Sequence, residues 1–236
     1  MRPVLQIAIA LLAATGIAPA HAEPLYSFMT QDGKTRISID TTAAPDLRDW
    51  SEHKLAPVLA QWYPRIESML ASKGFVAPRS VSITLRPQPG VAETGGADVS
   101  GNSEWFKKQL DGEATGAMVH EMVHVVQQYG DQEPDAVPGW LTEGIADYIR
   151  FFKFEPDYHG ADDIWLRKQD YAKIRFDGAY RQSANFLNWV SEKYDPKIVP
   201  TLNALARQKK YSAAIWKQRT GKTVEELGEE WKAAKR

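Results

Sequence analysis

The chain has 236 residues, of which 43% are hydrophobic and 25% are charged, a composition that suits a globular protein with a substantial core. Its formal net charge of −1 gives no electrostatic reason to expect binding to nucleic acid or to an anionic membrane. The sequence contains no cysteine, which excludes disulfide bonds, thiol catalysis and cysteine ligands for a metal.

The amino-terminal residues have the pattern of a secretory signal peptide. A positive charge at Arg2 is followed by an apolar run over residues 4–18 and by the small-residue site Ala20-His21-Ala22. We therefore predict a signal peptide over residues 1–22, cleavage after Ala22, and export to the periplasm or the medium. The apolar run is too short to favour a membrane anchor, and an uncleaved anchor is the alternative.

The next segment predicts a hairpin and a long helix. Two short β-like runs lie within residues 26–41, on either side of the turn sequence Gln31-Asp32-Gly33-Lys34. Residues 46–72 then carry apolar side chains at the spacing of one helix face. This helix is expected to cover one face of a sheet.

A strand and a glycine-rich segment follow. Residues 80–86 alternate between apolar and polar side chains, which is typical of a half-buried strand. The glycine-rich segment extends from Gly90 to Gly101, and residues 103–106 predict a further strand or turn.

The most informative pattern is an H-E-x-x-H array formed by His120, Glu121 and His124. We predict that its helix begins near residues 111–114 and ends at Gly130, because glycine is a common helix stop. Residues four apart lie on one face of a helix, so the two imidazoles can bind one metal ion with Glu121 beside it.

A second helix is predicted from about Pro138, and it carries Glu143 and Asp147 four residues apart. A catalytic zinc site needs three protein ligands and an open position for water, and His120, His124 and Glu143 provide such a set. Asp147, one turn beyond Glu143, can accept the spare N–H of a ligating imidazole and fix its tautomer. Zinc is inferred from these ligand types, and another divalent ion could occupy the same site.

The carboxy-terminal part predicts mostly helices. Residues 155–176 show little periodicity, and the helical segments expected after them are 179–193, 197–208, 211–220 and 223–235. The last begins with Thr223 followed three residues later by Glu226, which is a capping box.

Several stretches of the chain resemble a known family. The sequences VHEMVHVVQ at residues 119–127 and LTEGIADYIR at residues 141–150 are similar to those of the basic secretory protein family of plants and bacteria, a group of zinc metallopeptidases. The likeness extends upstream through residues 37–40 and 62–64 and downstream through residues 180–187. It therefore covers most of the mature chain.

The resemblance implies a gluzincin-type peptidase whose metal ligands are His120, His124 and Glu143. Glu121 is then the catalytic base. The resemblance also implies that the strand before the motif helix is the sheet edge along which an extended peptide binds by main-chain hydrogen bonds. We assign this edge to residues 96–105, for which a mobile surface loop is the alternative.

The developing oxyanion needs a second hydrogen-bond donor besides the metal. Tyr180 is our candidate because it lies in the downstream stretch shared with the family, and His159 is the alternative. Each also has a simpler interpretation: Tyr180 as a half-buried aromatic residue and His159 as an exposed loop residue.

The combined prediction is a secreted zinc metallopeptidase that hydrolyses peptide or protein substrates. The expected fold is α+β: one zincin-like catalytic domain over residues 23–236, with a small, mostly antiparallel sheet and the motif helix in residues 23–130 and a mainly helical part in residues 131–236. Two alternatives stay open. One is a secreted interaction protein with a structural or inactive zinc site, and the other is a hydrolase of non-peptide amides.

Overall fold

The computed structural model describes residues 25–130 and 136–236. The predicted signal peptide and residues 131–135, in the connector between the two site helices, lie outside the described residues. Among the residues that are described, no helix is both long enough and apolar enough to cross a membrane.

The described residues form a sheet and a set of helices. The strands are β1 (Leu25–Met29), β2 (Arg36–Asp40), β3 (Ser80–Arg86), β4 (Ala92–Gly95) and β5 (Asp98–Asn102). The helices are α1 (Arg48–Trp50), α2 (Ala56–Met69), α3 (Ser103–Lys108), α4 (Ala114–Gln127), α5 (Gly139–Ile149), α6 (Asp163–Leu166), α7 (Tyr180–Lys193), α8 (Ile198–Arg207), α9 (Ala214–Thr220) and α10 (Val224–Ala233). Shorter 3-10 and π-helical segments lie at Pro45–Leu47, Ser51–Leu55, Arg150–Phe154, Pro156–Tyr158 and Tyr171–Lys173.

The five strands form one mixed sheet in the order β1-β2-β3-β5-β4. The pairs β1–β2 and β4–β5 are antiparallel, whereas β2–β3 and β3–β5 are parallel. The predicted α+β class is confirmed, but the prediction of a mostly antiparallel sheet is wrong. The helical connection between β2 and β3 is a crossover, and a crossover places the next strand parallel to the last one.

The predicted hairpin and the predicted long helix are both present, and they contact each other. Pro64 lies inside α2 and has no N–H to donate to the carbonyl of Ala60. The backbone N–H of Gln31, in the hairpin turn, donates to that carbonyl at 2.9 Å. The helix therefore continues past its proline without leaving a carbonyl unsatisfied.

The core lies between the sheet and the helices. α2 contacts β1 and α4, and α4 contacts β4 and β5. The buried face of the three central strands consists of Ile37, Ile39, Val81, Ile83, Leu85 and Val99. α4 is thereby held directly under the sheet.

β4 is one of two edge strands of the sheet: among the described strands it pairs with β5 alone, just as β1, at the opposite edge, pairs with β2 alone. The prediction of a substrate edge at residues 96–105 is therefore wrong: β5 lies between β3 and β4, and the edge strand that contacts α4 is β4. The prediction of a strand or turn at residues 103–106 is also wrong. These residues begin α3, because the Asn102 side chain caps the helix by accepting a hydrogen bond from the backbone N–H of Glu104 at 3.1 Å.

The carboxy-terminal part is helical, as predicted. α5 packs extensively on α7, which also contacts α8 and α10. Gly144 permits the close approach of α5 and α7, because a Cβ at this position would lie 2.7 Å from the Cβ of Ser183. The capping box predicted at Thr223 and Glu226 is present.

Candidate active site

The motif helix α4 is buried on nearly all sides. Its apolar residues Met118, Val119, Met122, Val123, Val125 and Val126 are fully buried. A helix of this kind lies inside the protein, so its polar side chains need partners. The exposed fractions of His120 and Glu121 are 7% and 8%. α4 ends earlier than the predicted Gly130, because Gln128 adopts a left-handed conformation with φ 44°.

The structure brings the predicted metal ligands together. The Nε2 atoms of His120 and His124 are 3.0 Å apart. Glu143 Oε2, on α5, lies 3.1 Å from the Nε2 of His120 and 3.3 Å from that of His124. Zinc held tetrahedrally at about 2.0–2.1 Å from each ligand would separate neighbouring ligand atoms by about 3.3 Å. These residues therefore fit such an ion.

Hydrogen bonds on the far side of each imidazole determine which nitrogen carries the proton. His120 Nδ1 donates to Asp147 Oδ1 at 2.7 Å, the contact expected of Asp147. His124 Nδ1 donates to Gln127 Oε1 at 2.6 Å, and Gln127 keeps this orientation because its Nε2 donates to the carbonyl of Thr142 at 3.0 Å. Both Nε2 atoms consequently present lone pairs, and three converging acceptors need a cation among them.

In the absence of a metal, a proton supplies this positive charge. Burial opposes a charge on His120, but the carboxylates of Asp147 and Glu143 outweigh it and raise the pKa of His120 to about 10. Burial also opposes the charge of Glu143, yet the contacts of its carboxylate with the imidazoles of His120 and His124 hold the pKa of Glu143 well below its usual range. A metal ion at these atoms would replace that proton.

Glu121 lies next to the three predicted metal ligands but is not one of them. Among the described residues, the atoms able to close on one ion belong to His120, His124 and Glu143. The Glu121 carboxylate instead contacts the sheet, where its Oε2 accepts a hydrogen bond from the Thr94 hydroxyl at 2.6 Å. It is therefore available for a role other than metal binding.

Of the two oxyanion candidates, the structure brings only Tyr180 to this site. Its ring stacks on that of His120 with centroids 6.1 Å apart and an interplanar angle of 26°. The backbone holds it in an uncommon conformation, with φ 47° at Tyr180 and with φ 61° and ψ 168° at Ala179. His159 is exposed, pairs with Asp162 at 2.6 Å, and is not among the described residues that line the cleft.

The site opens into a cleft with a volume of about 1090 Å³. β4 lines one side, the start of α7 lines another, and α4 lies between them. At one end, Glu113 pairs with Arg150 at 2.9 Å and also with Arg181. A cleft of this size can hold several residues of an extended peptide.

Sequence reasoning missed two residues that contact the site. Gln127 follows His124 by three residues on the same helix, so its position on the same face could have been inferred from spacing alone. Thr94 carries no such signal, because its contact with Glu121 depends on how β4 packs over α4.

Residues 50–231 match the sequence model of a family described as BSP, "Peptidase of plants and bacteria". The chain belongs to this peptidase family. The matched region includes α4 and α5, which carry the H-E-x-x-H array and Glu143. The resemblance inferred from the sequence is thereby confirmed.

The fold is similar to that of a two-domain M1 zinc metallopeptidase whose crystal structure was solved as a mutant bound to L-arginine. The TM-score is 0.55, the sequence identity is 15%, and the similarity covers 90% of this chain. The chain spans 51% of the length of that protein. At this identity the likeness concerns the fold alone. A comparison with curated proteins gives no match.

Proposed function

We propose that the protein is an exported, zinc-dependent peptidase that hydrolyses peptide bonds with Glu121 as general base. The observation that carries this proposal is the convergence of His120 Nε2, His124 Nε2 and Glu143 Oε2 at separations of 3.0, 3.1 and 3.3 Å. Membership of a peptidase family supports the reaction class.

The ligand atoms and their supporting hydrogen bonds would hold the metal. When bound, zinc lowers the pKa of water to about 7 and polarises the scissile carbonyl. Asp147 and Gln127 keep both imidazoles in the tautomer whose Nε2 is free, at hydrogen-bond distances of 2.7 and 2.6 Å. Their role is to fix the ring orientation and to raise the basicity of the ligands.

Glu121 is the group that moves protons. Its buried carboxylate takes a proton from the attacking water and later delivers it to the leaving amine. Tyr180, whose ring lies against His120, donates its hydroxyl proton in a hydrogen bond to the oxyanion. The peptide backbone binds along the free edge of β4, which allows substrates with varied side chains.

A catalytic role explains the number of ligands better than a structural role does. A structural zinc site is normally closed by a fourth protein ligand. Within the described residues, the group that can close on one ion contains three residues, and it borders the cleft. The open position is where water would bind.

Export is supported by the signal-peptide pattern of residues 1–22, which lies outside the described residues. Expression of the full chain in a bacterial host, followed by amino-terminal sequencing of the exported protein, tests it. We expect the exported form to begin at Glu23. A full-length amino terminus on the protein, retained in the membrane fraction, would contradict cleavage.

The central experiment compares the purified mature protein with its Glu121→Gln variant. Metal content is measured by mass spectrometry, and hydrolysis is measured on a broad peptide library. Glu229→Gln, the same change at an exposed residue of α10, serves as the matched control. We expect all three proteins to bind close to one zinc ion each, and we expect the wild type and the control to cleave peptides while Glu121→Gln does not.

Three results would contradict the proposal. Cleavage by Glu121→Gln at the wild-type rate would remove Glu121 from the mechanism. Bound zinc without cleavage by any of the three proteins would favour a structural site in an interaction protein, and hydrolysis restricted to non-peptide amides would change the substrate class.

A further inference from the structure

We propose that Thr94, on the free edge strand β4, is a positioning residue that orients the Glu121 carboxylate and links that orientation to peptide binding. This inference rests on the proposed function of Glu121 as general base. It adds a residue outside the H-E-x-x-H helix to the site, and it gives the edge strand a role in turnover as well as in binding.

The contact between the two side chains is short and partly buried. Thr94 Oγ1 lies 2.6 Å from Glu121 Oε2 and 3.4 Å from the main-chain oxygen of Glu121. An ionised carboxylate only accepts hydrogen bonds, so the threonine hydroxyl is the donor. Hydrogen bonds to a charged group are stronger than those between neutral groups. Thr94 thus engages one carboxylate oxygen and leaves Oε1 for the proton of the attacking water.

The register of β4 directs this hydroxyl toward α4. Successive side chains of a strand point to opposite faces, and the neighbouring Glu93 points away from α4. On that other face, the Ser100 hydroxyl of β5 donates to Glu93 Oε1 at 3.0 Å. A shift of one residue would exchange the two positions and direct a glutamate toward Glu121.

Both ends of β4 are fixed by hydrogen bonds. At one end, Gln128 Nε2 donates to the carbonyl of Gly96 at 2.9 Å, which joins the strand to the end of the motif helix itself. At the other end, the backbone N–H of Asn102 donates to Val91 O and its side-chain amide donates to Gly90 O, each at 2.8 Å. The backbone therefore sets the position of Thr94 relative to Glu121.

The free edge of β4 is also where the substrate backbone would pair. A peptide added to this edge gives the strand hydrogen bonds on both sides, which restricts its motion and thereby that of Thr94. Binding energy from parts of a substrate remote from the scissile bond can raise kcat when it improves the alignment of a catalytic group. We therefore expect longer peptides that span β4 to be cleaved with a higher kcat, and this gain to depend on the Thr94 hydroxyl.

The test uses Thr94→Val, which removes the hydroxyl at nearly constant shape, and Thr94→Ser, which keeps it. Ser100→Ala removes a hydroxyl bonded to the opposite face of β4 and is the matched control. Kinetics are measured on a short peptide and on an extended version, together with zinc content and Tm. For Thr94→Val we expect a fall in kcat of roughly 10- to 100-fold on the extended peptide, with KM, zinc content and Tm nearly unchanged. Thr94→Ser should recover most of the loss, and Ser100→Ala should match the wild type.

A second readout does not depend on activity. Crystal structures of the three variants should show one orientation of the Glu121 carboxylate in Thr94→Ser and Ser100→Ala, and more than one in Thr94→Val. A single unchanged orientation in Thr94→Val overturns the proposal even if the wild type cleaves no peptide. Wild-type kcat in Thr94→Val, equal losses in Thr94→Val and Thr94→Ser, or a parallel loss of zinc also overturn it. If the wild type and Glu121→Gln hydrolyse peptides at the same rate, that result contradicts the proposed function of Glu121 instead.

Discussion

His120 and His124 contribute the same atom to the site but are supported by different partners. His120 Nδ1 donates to the carboxylate of Asp147, and His124 Nδ1 donates to the neutral amide of Gln127. A charged acceptor increases the electron density of an imidazole more than a neutral one does. We therefore expect His120 to be the stronger ligand and Asp147 to be the supporting residue whose loss matters most.

Replacing Asp147 by Asn should weaken zinc binding by about 10- to 100-fold, because the supporting carboxylate is lost while the shape is retained. Competition with a fluorescent chelator measures this change. Asp162→Asn is the matched control, since Asp162 contacts His159 at 2.6 Å outside the cleft. Equal zinc affinity in Asp147→Asn and the wild type would contradict the role given to Asp147.

Replacing Tyr180 by Phe should lower kcat roughly 100-fold with zinc content unchanged, because the oxyanion loses its second donor. The stacking on His120 should persist, since the ring is retained. Tyr158→Phe, a substitution at another exposed tyrosine, is the control for the removal of a hydroxyl. Undiminished peptide turnover in Tyr180→Phe would remove Tyr180 from the mechanism.

At the level of secondary structure, the contact between α5 and α7 positions two sides of the cleft. α5 carries Glu143 and Asp147, and α7 begins at Tyr180. The helices approach closely at Gly144, where an added Cβ would lie 2.7 Å from the Cβ of Ser183 and 3.3 Å from the Cδ1 of Leu187. Any increase in side-chain size at this contact must move the two helices apart.

Gly144→Ala should reduce the free energy of unfolding by about 1–3 kcal/mol, although alanine is the better helix former, because overpacking outweighs helix propensity. The same change should lower zinc affinity, since Glu143 precedes Gly144. Gly139→Ala on the same helix is the matched control, because nothing lies within 4 Å of a Cβ there. Denaturant unfolding of both variants tests this, and equal stability of the two would contradict it.

The elements that the sequence predicts best are those whose signals are local. The hairpin at Gln31–Lys34, the strand at Ser80–Arg86 and the capping box at Thr223 depend on neighbouring residues, and all are present. The shared helix face of His120 and His124 was likewise inferred from helical spacing, and Glu143 was added because a catalytic zinc site needs a third protein ligand. The edge strand near the site was predicted wrongly, because strand order depends on contacts between distant segments.

The same limit explains the errors near the site. The glycine-rich segment gives no reason to place β4 outside β5, and the pattern of each strand does not show that the crossover through α2 pairs β2 and β3 in parallel. Thr94 was missed for this reason. Its sequence neighbours indicate only a loop or strand, and its contact with Glu121 exists because β4 lies over α4.

At the scale of the whole molecule, the ligand set joins two parts of the chain. His120 and His124 lie on α4, which packs under the sheet, and Glu143 lies on α5, which packs on the carboxy-terminal helices. A metal bound at this junction therefore stabilises the arrangement of both parts. The unfolded chain lacks this convergence and should bind the metal far more weakly.

Removing the metal with a chelator should lower the Tm of the purified protein. A ligand present at a thousand times its Kd contributes about 4 kcal/mol to the free energy of unfolding, so a shift of several degrees is expected. Glu143→Gln should show a much smaller shift, because one ligand is lost. Calorimetry with and without chelator makes the comparison, and an equal response of the two proteins would count against Glu143 as a ligand.

The backbone at the start of α7 has a consequence for protein engineering. Ala179, with φ 61° and ψ 168°, occupies a region that is normally restricted to glycine, at a cost of about 1–3 kcal/mol. Ala179→Gly should relieve this strain and raise thermal resistance, yet it would also loosen the segment that presents Tyr180 to His120. Selection for heat tolerance alone would therefore favour substitutions here that slow turnover. Such a screen should include an activity assay from the first round.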